Sequence, residues 1–343
     1  MFLSYIHSFR AVAILFIVAG HCVALFDWQG REVMERLFRS VFQNGTVLFV
    51  FVAGFLFQHL SERFEYRRYL KSKLLNVILP YVVVSIPMLA LQMATERGSF
   101  DPGRGFEFPS LAHNIAWNYL TGYHILPFWF IPMIAVFYLL APALLWIDRR
   151  GWPYVLLPVG LGITILVHRP VDFTHIWHSC AYFLPIYLLG MWSSRHRERL
   201  MPVILRWLAP ATALVLALVV IEVLVLGRGG AIASHRMFST ENGVWGTNAI
   251  QKILLCWVLM GWLERLDGVV RDRLSRLADL SFGIFFLHMY FIQAYTRLGP
   301  QDPITGNPLV FFLVVALVVA LSVAVLVVAK KILGRRSRMF VGS

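Results

Sequence analysis

The amino-acid sequence predicts an all-α fold: a polytopic integral membrane helix bundle of about ten transmembrane helices, with both termini cytoplasmic. Three observations carry this prediction, namely the apolar composition, the length of the apolar runs, and the placement of lysine and arginine between them. Of the 343 residues, 59% are hydrophobic and 14% are charged, whereas an ordinary soluble domain carries about 25% charged residues. The mean hydropathy of +0.69 agrees with this imbalance.

Apolar runs of roughly 20 residues alternate with short charged joints. A hydrocarbon core about 30 Å thick requires a helix of about that length, and backbone groups in lipid must be hydrogen-bonded within their own segment. A barrel would show alternating segments of about ten residues, and none is present. The predicted membrane segments are 9–27, 41–60, 74–94, 128–147, 153–168, 177–193, 203–226, 244–263, 278–297 and 307–332. Prolines crowd the fourth and fifth runs, so nine or eleven spans stay open.

Lysine and arginine are distributed unequally between alternate joints, and cytoplasmic loops carry the excess. One set of joints, with the C-terminal tail, contains 19 of these residues, and the other set contains 9. The rich set is Arg63, Arg67, Arg68, Lys71, Lys73, Arg149, Arg150, Arg195, Arg197, Arg199, Arg265, Arg271, Arg273, Arg276, Lys330, Lys331, Arg335, Arg336 and Arg338. The poor set is Arg31, Arg36, Arg39, Arg97, Arg104, Arg169, Arg228, Arg236 and Arg297. An even number of spans with both termini inside follows.

The whole chain, 1–343, is predicted to be a single membrane domain without an appended soluble domain. The start MFLSYIHSFR has no charged region before its apolar stretch and no small-residue cleavage site after it, so a cleaved signal peptide is not expected. The net charge of +13 is attributed to cytoplasmic anchoring loops, so the lipid bilayer and not nucleic acid is the expected partner. The three cysteines lack paired spacing and His175 and His178 lack ligand neighbours, so no metal site is predicted.

The first run, SFRAVAILFIVAGHCVALF, contains the strongest candidate site. Arg10 stands at its start and His21 in its middle. Eleven residues at about 100° each return to nearly the same helix face, and they separate the two side chains by about 16 Å along the axis. An ionisable group inside the membrane is expensive and is a functional candidate by default. Gly20 beside His21 would let a ligand or another helix approach closely.

Five segments, in order, resemble the membrane acyltransferase-3 family. SFRAVAILFIVAGH resembles its opening, where a basic residue precedes a histidine by eleven positions. TVLFVFVAGFLF, RRYLKSKLLNVILPY, YHILPFWFIPMIAVFYLLAP and LSFGIFFLHMYFI resemble its second helix, its basic joint, its Trp-Phe helix and its late Leu-His helix. Two departures are Ala53, where the family usually has serine, and Lys73 with Asn76, where arginines are common.

The resemblance implies a membrane O-acyltransferase. Such an enzyme moves an acyl group, most often acetyl, from cytoplasmic acyl-CoA to a hydroxyl of an extracytoplasmic or lipid-linked glycan. The shorter members that this chain resembles modify exopolysaccharides and other surface glycans, which implies the bacterial cytoplasmic (inner) membrane. Acetyl-CoA is then the donor substrate, no metal is needed, and a homo-oligomer or polysaccharide-assembly partners stay open.

The resemblance and the residue chemistry together suggest roles for the polar side chains. His21 is expected to act as general base or as acyl carrier, because imidazole has an ordinary pKa of about 6.5, and His288 is a second catalytic candidate. Arg10 is expected to bind CoA, as a catalytic-site residue too far from His21 for a direct hydrogen bond. The further candidates for CoA phosphate binding are Arg67, Arg68, Lys71 and Lys73, which serve equally as ordinary cytoplasmic anchors.

The loop before the fourth run is aromatic. Aromatic faces stack on sugar rings, so the acceptor-binding candidates are Tyr119, Tyr123, His124 and Trp129, although an interfacial aromatic belt explains them too. Glu222, an acid inside an apolar run, is either a partner for a histidine or an interfacial residue. A polysaccharide exporter is the alternative function, and a non-catalytic assembly subunit is a third. No matched pair of broken segments in the two halves supports a transporter.

Overall fold

The computed structural model describes residues 3–94, 110–238, 246–299 and 302–343, and nearly all of its regular structure is helical. The helices are α1 (Ser4–Cys22), α2 (Glu32–Phe42), α3 (Thr46–His59), α4 (Tyr66–Lys73), α5 (Leu79–Ala94), α6 (Leu111–Thr121), α7 (Phe130–Leu139), α8 (Ala141–Arg150), α9 (Leu157–Leu166), α10 (Ile176–Arg195), α11 (Arg197–Arg206), α12 (Leu208–Val220), α13 (Thr247–Arg265), α14 (Asp267–Leu298), α15 (Pro308–Leu333) and α16 (Ser337–Val341). The strands are β1 (Phe26–Asp27), β2 (Arg169–Pro170), β3 (Ala233–Ser234) and β4 (Ile304–Thr305).

Two helix pairs form the centre of the bundle. α3 packs most extensively on α10, and α1 on α14, while α1 also touches α13, α15 and α3. Glycines make the α3–α10 contact close, because a Cβ added at Gly54 or Gly190 would lie 2.0 Å from a backbone oxygen of the other helix. Small residues commonly let membrane helices approach in this way. Close helix packing therefore explains why glycine stands at position 54, one of the positions that match the family.

The bundle has two recognisable ends. At the amino-terminal end, defined by the starts of α1 and α14, the Ser4 hydroxyl donates to the Asp267 carboxylate at 2.7 Å. At the far end, β1 pairs with β4 and β2 pairs with β3, each pair in parallel. α1 and α14 consequently run in the same direction, and both strand pairs tie together loops of the far end.

Six helices are long and apolar enough to cross a membrane in the described parts of the chain, and seven if one bent pair counts as a single span. The six are Ser4–Leu25, Glu32–His59, Tyr66–Ala94, Leu208–Val225, Asp267–Leu298 and Pro308–Val341. The bent pair, Leu111–Thr121 with Leu126–Leu139, turns by 73°. Every predicted apolar run coincides with helix, so the all-α prediction is confirmed, whereas the count of ten and the orientation of the termini stay predictions.

The outward surfaces of α12 and α15 are apolar. In α15, Leu309, Leu313 and Leu317 recur every four residues, and each is more than half exposed. A helix that is apolar on its outer as well as its inner face is typical of a membrane span. Together with the apolar spans, this surface identifies an integral membrane protein.

Several segments differ in detail from the sequence prediction. α1 begins at Ser4, five residues before the predicted run, and ends at Cys22, so His21 lies in its last turn and not in its middle. The predicted joint before the second run is the amphipathic helix α2, whose two buried side chains pack inward. Arg97 and Arg104 lie outside the described residues, as does the rest of 95–109 in the joint between the third and fourth predicted runs.

Two membrane helices contain a single π-helical turn. Leu74–Ile78 joins α4 to α5, and Ile221–Val225 extends α12 at the far end. Such turns interrupt the regular hydrogen-bond pattern and are frequent at functional sites. The first directly follows Lys73, and the second contains Glu222.

Candidate active site

His21 and His288 lie against each other. His21 is in the last turn of α1 and His288 is two-thirds of the way along α14, and their ring centroids are 5.4 Å apart at an interplanar angle of 37°. His288 is fully buried and His21 is half-buried. The α1–α14 packing therefore joins two histidines that the sequence suggested separately.

The hydrogen bonding of His288 leaves one ring nitrogen open. Nδ1 lies 3.0 Å from the Ile284 carbonyl oxygen. Because a carbonyl oxygen only accepts, Nδ1 carries the proton, and the neutral ring then has an unprotonated Nε2. Nε2 is buried and has no hydrogen-bond partner in the described structure. A buried basic nitrogen without a partner is suited to take a proton or to attack a carbonyl carbon.

Gly20 serves helix packing. A Cβ at this position would lie 3.0 Å from the Phe42 carbonyl oxygen, at the end of α2. Of the two roles the sequence allowed for Gly20, the described residues support the approach of another helix. This contact sets α1 beside the turn between α2 and α3 and so helps to fix the position of His21.

Arg10 contacts α14 at the amino-terminal end and does not approach His21. Its Nη2 donates to the Ser281 hydroxyl at 3.1 Å, and Ser281 donates to the Ala278 carbonyl oxygen. Since α1 is one continuous helix, the axial distance of about 16 Å between Arg10 and His21 holds. Arg10 and His288 are thus connected along α14, through residues two turns apart on one face.

Two further cations, Lys73 and Arg338, lie near Arg10. The charge of Arg338 acts on both Arg10 and Lys73, and that of Arg10 acts on Lys73. Asp279 is the one acid whose charge acts appreciably on Arg10, and it is also 3.3 Å from His7. We name Arg10, Lys73 and Arg338 the cationic cluster. Like charges repel, so such a cluster is suited to a polyanion.

Of the four cations in the basic joint that were predicted to bind CoA, only Lys73 belongs to the cationic cluster. Lys73 turns inward, and its Nζ lies 5.2 Å and 4.9 Å from the ring centroids of Tyr69 and Tyr138. The side chains of Arg67, Arg68 and Lys71 are exposed at the same end of the bundle. Arg338 was missed as a site residue, because a cation in a C-terminal tail has no sequence signal beyond its charge. The tail folds back, and α16 packs on α5 and α15.

The four predicted acceptor-binding residues do not form one group: His124, Tyr119 and Tyr123 lie apart from the fourth. His124 is buried, with Nδ1 3.1 Å from the Asn118 carbonyl oxygen and Nε2 2.7 Å from the Ser85 hydroxyl. Its ring packs on Tyr119 at 5.8 Å, and Tyr123 is half-buried nearby in the chain. These contacts give His124 a packing role. An acceptor role for the three residues stays a prediction.

Trp129 lies apart from that group, under an arginine that the sequence analysis did not select. The guanidinium carbon of Arg169 is 5.3 Å from the Trp129 ring centroid. The charge of Arg169 acts on His21. In the sequence, Arg169 is only the single cation of its joint, and nothing there indicates that β2 brings it toward the first helix.

A small cleft that is partly open to solvent lies beside Arg169 at the far end. It is lined by Val167, His168, Arg169, Tyr182, Glu222, Arg228, Gly230, Ala231, Ile232, Gly246, Thr247, Asn248 and Ala249. The accessible lining is mostly apolar, although Arg169, Glu222 and Arg228 add charged side chains to it. The cleft thus reaches from the far-end loops to the arginine whose charge acts on His21.

Glu222 belongs to a buried polar network. The Ser40 hydroxyl donates to Glu222 at 2.6 Å, and the fully buried Lys252 donates to the Ser40 carbonyl oxygen at 3.0 Å. The charges of Glu222 and Lys252 act on each other. Glu222 therefore contacts neither histidine, and its described contacts tie α2, the second π turn and α13 together. Lys252 was not recognised because it stands alone in an apolar run.

Comparison with known proteins identifies the family of the chain. Comparison with curated proteins and with solved structures gave no significant match. The family model Acyltransferase domain (acyltransferase 3) matches residues 3–327, which includes both histidines, Arg10, Lys73 and Arg169. The chain therefore belongs to the acyltransferase-3 family and is a membrane acyltransferase.

Proposed function

We propose that this membrane acyltransferase transfers an acetyl group from cytoplasmic acetyl-CoA to a hydroxyl of an extracytoplasmic or lipid-linked glycan. The single observation that carries the proposal is the His21–His288 pair, with its open Nε2, in a chain of this family. Its setting is the bacterial inner membrane, with the amino-terminal end of the bundle in the cytoplasm.

The charge distribution supports the two-sided arrangement. CoA carries several negative charges, and the cationic cluster offers arginine and lysine donors to phosphate oxygens. Arg67, Arg68 and Lys71 surround the approach to the same end. The glycan hydroxyl enters through the cleft at the far end, so donor and acceptor reach the histidines from opposite directions.

The chemistry requires a base or a carrier. In direct transfer, a histidine takes the proton of the hydroxyl while its oxygen attacks the thioester carbon, and the CoA thiolate leaves and is protonated. In the carrier route, the imidazole nitrogen attacks first and the acetyl-histidine is then cleaved by the hydroxyl. Both routes use the open nitrogen and end in the same ester and free CoA.

The test is mass analysis of the surface glycan from a deletion strain that is complemented with the wild type or with His21→Ala. We expect the acetylated glycan to disappear with His21→Ala and to return with the wild type, because the variant lacks one imidazole of the histidine pair. His175→Ala, at an exposed histidine of the far-end loops, is the control and should leave acetylation intact.

Two results would contradict the proposal. If His21→Ala supports full acetylation of the glycan, the histidine pair is not required for the reaction. Loss of glycan export with persistent acetylation of the retained glycan would instead support the exporter alternative.

A further inference from the structure

We propose that Arg169 stabilises the negative charge that develops on the acyl carbonyl oxygen during transfer at His21 and His288. The inference rests on the proposed function and adds to it a residue that contacts the reacting atoms. It assigns the oxyanion-binding role to the far end of the bundle, on the side from which the acceptor arrives.

The far-end strand pair holds Arg169 in place. Its backbone N–H donates to the Ile232 carbonyl oxygen at 2.9 Å, and Arg169 is in register with Ala233 of β3. The preceding residue is fixed as well, because the His178 ring lies 2.7 Å from the His168 carbonyl oxygen. The guanidinium lies over the Trp129 ring, and its charge acts on His21. A preorganised donor of this kind needs no rearrangement when charge develops.

The guanidinium has no anionic partner in the described structure. Its Nε is buried and lacks a hydrogen-bond partner, and no described carboxylate lies within ion-pair distance. The two nearby acids are engaged elsewhere: Asp172 accepts from the Thr174 hydroxyl at 2.6 Å, and Glu222 accepts from Ser40. Trp129 and Tyr182 contribute aromatic surface and no formal charge.

Arg169 is half-buried, and a cation that is partly removed from water without a carboxylate partner costs stability. Arginine does not avoid this cost by losing its proton, because the guanidinium group stays protonated in proteins. The arrangement is understandable if a negative charge forms or arrives at this position during function. Arg169 lines the cleft and acts on His21, so the position lies between the acceptor route and the histidine pair.

The acyl transfer supplies such a charge. When the hydroxyl oxygen bonds to the carbonyl carbon, the C=O π electrons move onto the carbonyl oxygen, and the hydroxyl proton passes to a histidine nitrogen. When this intermediate collapses, the C=O bond reforms, the C–S bond breaks, and the CoA thiolate takes a proton. The carrier route passes through the same kind of oxyanion. Arg10 is too far along α1 to serve it.

The experiment compares Arg169→Met and Arg169→Lys with the wild type in native membrane vesicles supplied with radiolabelled acetyl-CoA. Label transferred to glycan is measured against acetyl-CoA concentration. We expect Arg169→Met to lower the maximal rate by about 10²–10³-fold, as loss of an oxyanion donor does, with the KM for acetyl-CoA unchanged. Arg169→Lys keeps the charge without the planar fork and should retain an intermediate rate.

Thermal unfolding of the purified variants separates catalysis from structure. Because Arg169→Met removes a half-buried charge that has no carboxylate partner, its Tm should equal or exceed that of the wild type, whereas a structural arginine would lower it. The control is Arg236→Gln, at an exposed arginine two residues beyond β3, which should change neither rate nor Tm.

Three outcomes would overturn the inference. One is an unchanged maximal rate for Arg169→Met, and another is a lost rate that accompanies a lower Tm. The third is a maximal rate that recovers when glycan is added in excess, which would make Arg169 an acceptor-binding residue. If the wild type itself transfers no label, the proposed function fails together with this inference, whereas normal wild-type transfer confines any failure to Arg169.

Discussion

At the scale of the residue, the central feature is the contact between His21 and His288. Each ring on its own has an ordinary interpretation as a packing residue of a membrane helix. The 5.4 Å separation of the rings and the open Nε2 change that interpretation, because one nitrogen is available for chemistry next to a second imidazole. The pair is expected to behave as a unit.

If His21 and His288 act as a unit, the effects of their substitution on the rate of acetyl transfer should be non-additive. His21→Ala and His288→Ala should each lower the initial rate of acetyl transfer by about 10²–10⁴-fold, the usual contribution of a general base. The double variant should be no slower than the slower single variant, as in other groups that act together. Rates in membrane vesicles with labelled acetyl-CoA provide the measurement.

Losses that multiply in the double variant would show that the two histidines act independently. Thermal unfolding of all three variants is the necessary control. A general loss of folding would lower Tm in parallel with the rate and would be recognised by that correlation.

Residues differ in how far the sequence predicts their roles. Arg10 and His21 share a helix, so spacing alone relates them. The contact of His21 with His288, by contrast, depends on α1–α14 packing, and the effect of the Arg169 charge on His21 depends on the β2–β3 pair. Neither interaction has a local sequence pattern, so only the family resemblance suggested His288, and Arg169 was missed.

At the scale of the element, the last helix adds to the proposed donor end. α16 packs against α5 and α15, and a Cβ at Gly342 would lie 3.0 Å from the Phe286 ring, two residues before His288. This placement brings the exposed Arg338 close enough to act on Arg10 and Lys73. The tail thus contributes a cation to a site otherwise made from helices near the start of the chain.

The position of Arg338 predicts weaker binding of acetyl-CoA when the charge of this arginine is removed. Arg338→Gln should raise the KM for acetyl-CoA about fivefold, which corresponds to about 1 kcal/mol for an exposed charge pair, and leave the maximal rate unchanged. The difference from the wild type should shrink with added salt, because salt screens exposed charges. Steady-state transfer rates at two ionic strengths test this.

Arg336→Gln is the matched control, since Arg336 is an exposed arginine of the same tail. An equal rise in KM for both variants would indicate general attraction by the basic tail. A fall in maximal rate for Arg338→Gln alone would contradict a role limited to donor binding.

At the scale of the whole molecule, composition and periodicity predicted the architecture well. Every apolar run forms helix, because helix is the structure that satisfies its own backbone in lipid. The run boundaries were less accurate. Helix α1 continues through the polar start of the chain, and amphipathic α2 was taken for a joint, since charged residues lower the hydropathy of a segment that is nonetheless helical.

The predicted orientation puts the two ends of the bundle in different compartments. In a chain whose three cysteines are replaced by alanine, Arg236→Cys should react with a membrane-impermeant maleimide in intact spheroplasts. Arg336→Cys should react only after permeabilisation, because the joints rich in lysine and arginine remain inside. Gel-shift labelling provides the measurement, and the same pattern at both positions would refute the two-sided arrangement.

The two π turns have a consequence for how this chain tolerates insertion and deletion. A π turn holds one residue more than the α turn it replaces, so removing one residue from Leu74–Ile78 would restore a regular helix and rotate Lys73 by about 100° relative to α5. The same change within Ile221–Val225 would turn Glu222 away from Ser40. Single-residue deletions at these turns are therefore a means to move a side chain around its helix axis while its chemical identity stays the same.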